Sequence, residues 1–329
     1  MVNVFLAKYF SIKVDKIIRI ELVNSQHIKI TPRAVAFDFS NSTIHWIPSD
    51  PFSSHTYNAI NLLLPAGEFW FCRVFNKALP LITDENLKED VRAFIKQEAM
   101  HARAHIHGQK FMQAQNFDLE EGLKKADTLF GQLLADQPLG LPIAKSKRLE
   151  HYWLILRVGI IATIEHFTGV IGQWTLDHSH NWDKFNADAE MSDLFRWHLA
   201  EEVEHRNVAF DLFHHLLLNK LGFYITRQAL MTAVFPIFMY LMVDIGRGLA
   251  RQDSLAEMQK MAKYNVFRMW WELEKVGRKT GNVPTFGFLT QSVFRWVSPS
   301  FHPEEEGNTE QALAYFKQSQ AVQRAASKS

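Results

Sequence analysis

The chain has 329 residues, 47% of them apolar, 26 of them Phe, and a formal net charge of +1 at neutral pH. That length suits one large domain or two modest ones around a sizeable core. The near-neutral balance gives no footing for a nucleic-acid partner, and the single cysteine, Cys72, excludes an intrachain disulfide or a thiolate-rich zinc site and fits a reducing, cytoplasmic setting.

Strand signals are confined to residues 1–50: VDKIIRIELV, HIKITPR and TIHWIP. This segment has no apolar run with a small-residue cleavage site and is read as an arm of short strands rather than a leader peptide. From residue 51 the pattern is helical, and a helical domain is expected over 51–279 with a C-terminal segment, 280–329, packed on it. Ser54 is placed to cap a helix to Leu64, Pro65-Ala66-Gly67 marks a break, and helix resumes from Glu68 to Leu79. Thr83-Asp84 opens a long helix to about Gln115. A shorter one covers Leu119 to Ala135, DQPLGLP is a loop, and a very long helix runs to His178. HSHNWD reads as a turn. Asn186 or Asp188 starts a further helix to about Asn219, and two or three more follow to Val276. The tail is a polar turn with a last helix, and its final residues, AASKS, are expected to fray. Residues 229–243, ALMTAVFPIFMYLMV, carry no charge, fall short of the ~20 residues a membrane span needs, and contain Pro236. A buried, kinked helix is expected there; the alternatives are peripheral contact with a membrane or a wall of an apolar pocket. The sum is an all-α protein with four long core helices and additional helices outside them.

Two of those helices carry acids in apolar company. Glu68 stands in GEFWFCRVF, and Glu165 is the only acid between Glu150 and Asp177. A buried carboxylate is costly unless a cation or strong donors meet it. Arg73 and Arg157 offer a plain internal ion pair as one explanation. The other two helices carry Glu98-x-x-His101 and Glu202-x-x-His205. Residues at i and i+3 lie about 60° apart on a helix, so both side chains reach one point beside the axis. A lone Glu-x-x-His pair is weak, but the chain order Glu, Glu-x-x-His, Glu, Glu-x-x-His is the ligand set of a two-metal carboxylate site inside a four-helix bundle. Four carboxylates would neutralise two divalent cations, with Glu98 and Glu202 bridging and Glu68 and Glu165 terminal. Mixed oxygen and imidazole donors suit iron or manganese, without excluding zinc.

The order of these residues resembles that of the ferritin-like di-iron proteins. His198, four residues before Glu202, completes an H-x-x-x-E-x-x-H pattern similar to the di-iron N-oxygenases that oxidise aryl amines such as p-aminobenzoate. The sequence from Phe37 to His105 is similar to the bacterial family described as predicted metal-dependent hydrolases, a likeness extending over about residues 34 to 300. These resemblances imply a ferritin-like four-helix bundle and metal ligation by Glu68, Glu98, His101, Glu165, His198, Glu202 and His205. His105, on the stripe of Glu98, is placed to be a ligand or a donor behind one. Glu201 competes with Glu202, but Glu202 repeats the spacing of Glu98 and His101. Glu204 is expected to be solvated or paired with an arginine. His107, His166, His214 and His215 have no motif support.

The leading functional expectation is an oxygen-activating di-iron enzyme acting on a small hydrophobic or amine substrate. It needs an external electron donor, since the chain has no flavin or nicotinamide fingerprint. A hydrolase using two metals, and a non-enzymatic metal-binding protein, are the competing expectations. A homodimer is left open by the sequence.

Overall fold

A computed structural model describes residues 29–143 and 146–327. Residues 32–329 form one compact unit. The strand signal at 14–23 lies outside the described residues, as do the first two residues of HIKITPR. The remainder of that motif and TIHWIP are not strands. The backbone of TIHWIP is met instead by helix side chains and a helix cap. Asn58 Nδ2 donates to the Ile44 carbonyl at 3.0 Å, the Ile47 N–H donates to Ser54 Oγ at 3.0 Å, and the Asp188 N–H donates to the Trp46 carbonyl at 2.7 Å. Trp46 and Ile47 are fully buried, so this stretch is an irregular plug in the core.

The regular secondary structure of the described residues is helical. In order they form α1 (Pro51–Ala78), α2 (Glu85–Ala114), α3 (Glu120–Asp127), α4 (Lys147–His178), α5 (His180–Lys184), α6 (Ala189–His205), α7 (Val208–Leu216), α8 (Lys220–Gln252), α9 (Ala256–Met261), α10 (Val266–Thr280), α11 (Phe286–Val297), α12 (Thr309–Phe316) and α13 (Gln320–Ala326). The expected turn at HSHNWD is the short α5. The end of the helix expected to Ala135 is π-helical over Thr128–Leu133.

The break expected at Pro65 does not occur. α1 starts one residue after Asp50, whose side chain accepts from the Ser53 N–H, and continues unbroken through Pro65. An interior proline removes one helical hydrogen bond, leaving the carbonyl four residues earlier without its donor. That carbonyl belongs to Asn61, and Gln109 Nε2 of α2 donates to it at 3.0 Å. A tertiary contact thus replaces the lost local one.

α1 packs lengthwise on α2, and α4 on α6; α1 also meets α4, and α2 meets α6, closing a four-helix core. The approach of α4 to α6 depends on Gly172. A Cβ there would lie 2.4 Å from the Leu199 carbonyl oxygen, so only glycine permits the backbones to come this close. α6 was expected to run on to Asn219, but it stops at His205 and α7 follows after a turn at Arg206-Asn207. The buried Arg206 explains the stop. Its guanidinium donates to the carbonyls of Val203, Pro303 and Glu304 and to Thr309 Oγ1, tying the turn to the C-terminal segment. From that segment α12 packs on α6.

α8 lies against α1 and α4. It is one helix through Pro236, and it is not buried as expected. Met231, Met239, Met242 and Val243 face the core, whereas Leu221, Ile225, Ala229, Ala233, Ile237 and Tyr240 are exposed. Pro236 sits on the exposed side, as does Thr232, whose carbonyl it leaves without a helical donor.

Candidate metal centre

The four core helices each deliver acids or imidazoles to one buried point. α1 supplies Glu68, α2 supplies Glu98 and His101, α4 supplies Glu165, and α6 supplies His198, Glu202 and His205; each is at most 2% exposed. One ligand atom each from Glu98, Glu165, Glu202 and His205 lies within 4.8 Å of the others. The same is true of His101, His198 and Glu202, and of Glu68, Glu98 and His101. Glu98 and Glu202 thus belong to groups on both sides of the cluster. All seven residues expected from the sequence meet here.

The arginines offered as partners do not serve. Arg157 pairs with Asp136 at 2.6 Å, and Arg73 is exposed. Both oxygens of Glu68, of Glu98 and of Glu165 are buried without a hydrogen-bond partner, as is His101 Nδ1. His205 Nε2 lies 3.2 Å from Glu165, 3.3 Å from Glu98 and 3.3 Å from Glu202, and one nitrogen cannot satisfy three carboxylates. Three buried carboxylates that have only the nearby imidazoles to meet them are a demand for cations, and hard oxygen donors with imidazoles are a donor set that divalent metals fit.

The three imidazoles are oriented from behind. His101 Nε2 lies 2.9 Å from Glu201, leaving Nδ1 toward Glu98 and Glu202. His205 Nδ1 lies 3.0 Å from Gln97 Oε1, leaving Nε2 toward the acids. His198 Nδ1 lies 2.6 Å from His105 Nε2, and His105 Nδ1 lies 2.7 Å from Asn61 Oδ1. With a cation bound, Asn61 would accept from His105 and His105 from His198, freeing His198 Nε2 to ligate; without one, that nitrogen donates to Glu202 at 2.7 Å and lies 3.6 Å from Glu68. Outer hydrogen bonds of this kind fix which imidazole nitrogen can bind a metal. His105 therefore stands behind His198, and Glu201 behind His101. Glu204 is not solvated: its buried carboxylate takes Arg33 in a two-pronged pair at 2.6 and 2.9 Å and accepts from Gln97 Nε2 at 2.7 Å. Arg33 also reaches Glu201 at 3.1 Å, so one guanidinium stands behind both His101 and His205.

Electrostatics follow from this packing. Burial, then Glu98, Glu202 and Glu165, push Glu68 well above the usual carboxylate range, and burial with Glu202 does the same to Glu165. Burial and Glu202 push Glu98 up to about 8. Burial alone would raise Glu202 too, but His205 and His198 outweigh it and hold it well below. Burial opposes protonation of His205, yet Glu202 and Glu165 raise it well above the ordinary imidazole value. Without cations the cluster retains protons that metals would displace.

The four acids line a cavity of about 180 Å³ together with Leu63, Phe71, Phe130, Ile164 and Phe238. The remaining unsupported histidines lie elsewhere: His166 packs on Trp296 and Phe301, His107 on Phe39, His214 on Phe223, and His215 accepts from the Thr83 N–H. A second group, His45, His55 and Asp253, was not anticipated. Both imidazole Nε2 atoms sit 2.6 Å from Asp253 Oδ2, and Oδ1 accepts from the Leu255 N–H, so this carboxylate has its partners. Arg33, Gln97 and Asn61 also escaped the sequence reading, because no spacing rule links them to the ligand helices.

Fold and cluster together define an all-helical protein with a buried acid–imidazole site suited to metal ions. The sequence model of one family, described as "Predicted metal-dependent hydrolase", matches residues 31–307. The chain belongs to that family. No curated protein and no solved structure gives a significant match.

Proposed function

We propose that this is a ferritin-like dinuclear metal enzyme that oxidises an apolar small molecule with dioxygen. The observation carrying this reading is the cavity itself, whose lining joins the four clustered carboxylates to an otherwise almost wholly hydrocarbon wall. Glu165 and His205 would hold one metal, Glu68, His101 and His198 the other, and Glu98 and Glu202 both. Iron in these positions would supply the redox chemistry of oxygen activation, and an external donor would supply the electrons.

The protein's own share of the work is derived from its packing. Glu201, Gln97 and His105 hold the three imidazoles in the tautomers that ligation needs. Phe71, Phe130 and Phe238 keep water from the reacting end, which strengthens every electrostatic interaction there. The size of the cavity favours a single ring or short chain, since about 150 Å³ accommodates benzene. Among its lining residues only the four acids and Thr168 are polar, and Thr168 Oγ1 is 3.2 Å from the Glu165 carbonyl, so substrate selection rests on shape and apolarity.

The family description favours a second reading, hydrolysis with redox-inert metals. An apolar wall does not argue for it, because hydrolysis needs groups to meet a polar scissile bond and its leaving group. The two readings separate in one experiment. Protein loaded anaerobically with two ferrous ions should develop a new absorption on aeration and consume oxygen with reductant present. Ester or amide cleavage that persists without oxygen on zinc or manganese, with no oxygen consumption by the iron form, would overturn the oxidative reading in favour of the hydrolytic one. Iron uptake far beyond two per chain would overturn both.

A further inference from the structure

The exposed side of α8 runs into the mouth of the cavity. Leu221, Ile225, Ala229, Ala233, Ile237 and Tyr240 recur at helical spacing and carry no charge over about 28 Å, at ~1.5 Å per residue. Leu221 is 67% exposed and Ile225 57%. Isolated exposed apolar residues are ordinary, whereas a continuous strip of this kind marks a contact surface. Ala233 and Ile237 are exposed and also line the cavity.

Two neighbouring helices widen the strip. α11 lies along α8, with Tyr224 Oη donating to the Val297 carbonyl at 3.0 Å and the rings of Phe235 and Phe286 6.3 Å apart. α10 joins α11 through the stacked rings of Trp270 and Phe286. Phe267, Trp271 and Phe294 on these helices are each more than 60% exposed. A groove of about 900 Å³ at this junction combines Trp270, Trp271 and Phe286 with Lys275, Arg278 and Lys279. Its acid, Glu274, pairs with Arg278 and accepts from the Gly287 N–H, and Lys275 lies 3.6 Å from Glu272, so among the described residues Lys279 is the groove cation outside an ion pair.

Exposed aromatics beside clustered cations match the requirements of an anionic lipid surface, where rings sit at headgroup level and ammonium groups meet phosphates. A second copy of the chain is the poorer partner: a two-fold contact would set this cationic rim against itself. We infer that the α8–α10–α11 face docks on a bilayer containing anionic lipids, with α8 lying in the interface plane and its inner side still packed on α1 and α4. The docking stands without the metal centre. The route it opens, from the acyl region past Ala233 and Ile237 into the cavity, rests on the function proposed above.

The test is flotation of the purified full-length protein with vesicles of phosphatidylcholine alone and of phosphatidylcholine with phosphatidylglycerol, with and without chelator. Binding to the anionic vesicles is expected, weakened at least about fivefold by each of Lys275→Glu and Lys279→Glu. Leu221→Gln with Ile225→Gln, and Phe267→Ala with Trp271→Ala, should abolish it while leaving helix content and metal content unchanged. Absence of binding to anionic vesicles, or equal binding by all variants, overturns the docking. So does a stable dimer in light scattering that Ile225→Gln converts to monomer. Loss of metal with docking retained would count against the metal centre alone.

Discussion

Helices α4 and α8 have nearly the same length, 32 and 33 residues, and mean hydropathies of 1.6 and 1.8 over their most apolar windows. Either is long and apolar enough to cross a membrane by composition. Yet 89% of that window in α4 is buried against 28% in α8. Apolarity alone therefore does not decide burial. α4 carries Gly159, Gly169 and Gly172, at which a Cβ would press on neighbouring chain, and it carries Glu165 toward the cluster. On α8 a Cβ at Gly222, Gly246 or Gly248 would meet its neighbours no closer than 3.6 Å, and the helix's outward side, from Leu221 to Tyr240, stays exposed. One helix is apolar because it sits at the centre of the fold; the other keeps much of its apolar surface exposed.

The largest effect that sharpens this contrast is expected at Glu165. Glu165→Ala should lose at least one metal by elemental analysis and more than about 100-fold in turnover, beyond the ~10–100-fold typical of residues behind a ligand. Retention of both metals would break the assignment of α4 as a ligand helix. Next comes Gly172→Ala, which places a methyl group on the Leu199 carbonyl and should cost about 1–3 kcal/mol in urea unfolding. A neutral result would mean that the α4–α6 approach is not tight.

A smaller effect is expected from pH. In chelated protein Glu98 is held at about 8 by burial and by Glu202, against an ordinary value near 4.5. A carboxyl raised on folding contributes stability that is fully present below its unfolded value and is lost as pH rises through its folded one. Above the range where the buried imidazoles His55, His105, His166 and His198, all held below their ordinary value, titrate on unfolding, the melting temperature of the metal-free protein should therefore fall between about pH 7 and pH 9, and metal should restore it most at the alkaline end. A melting temperature that rises over that range would sink the electrostatic account. The smallest effect is expected on α8, where Ile225→Gln should change stability by no more than about 0.5 kcal/mol. A loss of several times that amount would show that the strip is covered in the isolated protein.

Much of this was legible in the sequence. The acids of α1 and α4 betrayed themselves by apolar surroundings, and the two Glu-x-x-His pairs by spacing, so convergence of all seven residues needed only helices of the right phase. Asp84 and Asp188 announced their helices as caps. What escaped was decided between distant segments. Nothing local says that Gln109 will adopt the Asn61 carbonyl and carry α1 through a proline. Nothing in WHLAEEVEHRN reveals that Arg206 will bind the backbone of Pro303 and end the helix. TIHWIP has the alternation of a strand, but its backbone groups are met by helix side chains, so propensity gave way to tertiary contact.

Arg33 carries a practical consequence. It precedes the first helix by eighteen positions, yet its guanidinium touches Glu201 and Glu204. A truncation beginning at Pro51 would look like a clean domain boundary and would keep every ligand. It would also strip the counter-ion from two interior acids, leaving the imidazoles they steady free to swivel. Anyone trimming this polypeptide for crystals or for engineering should begin no later than Pro32.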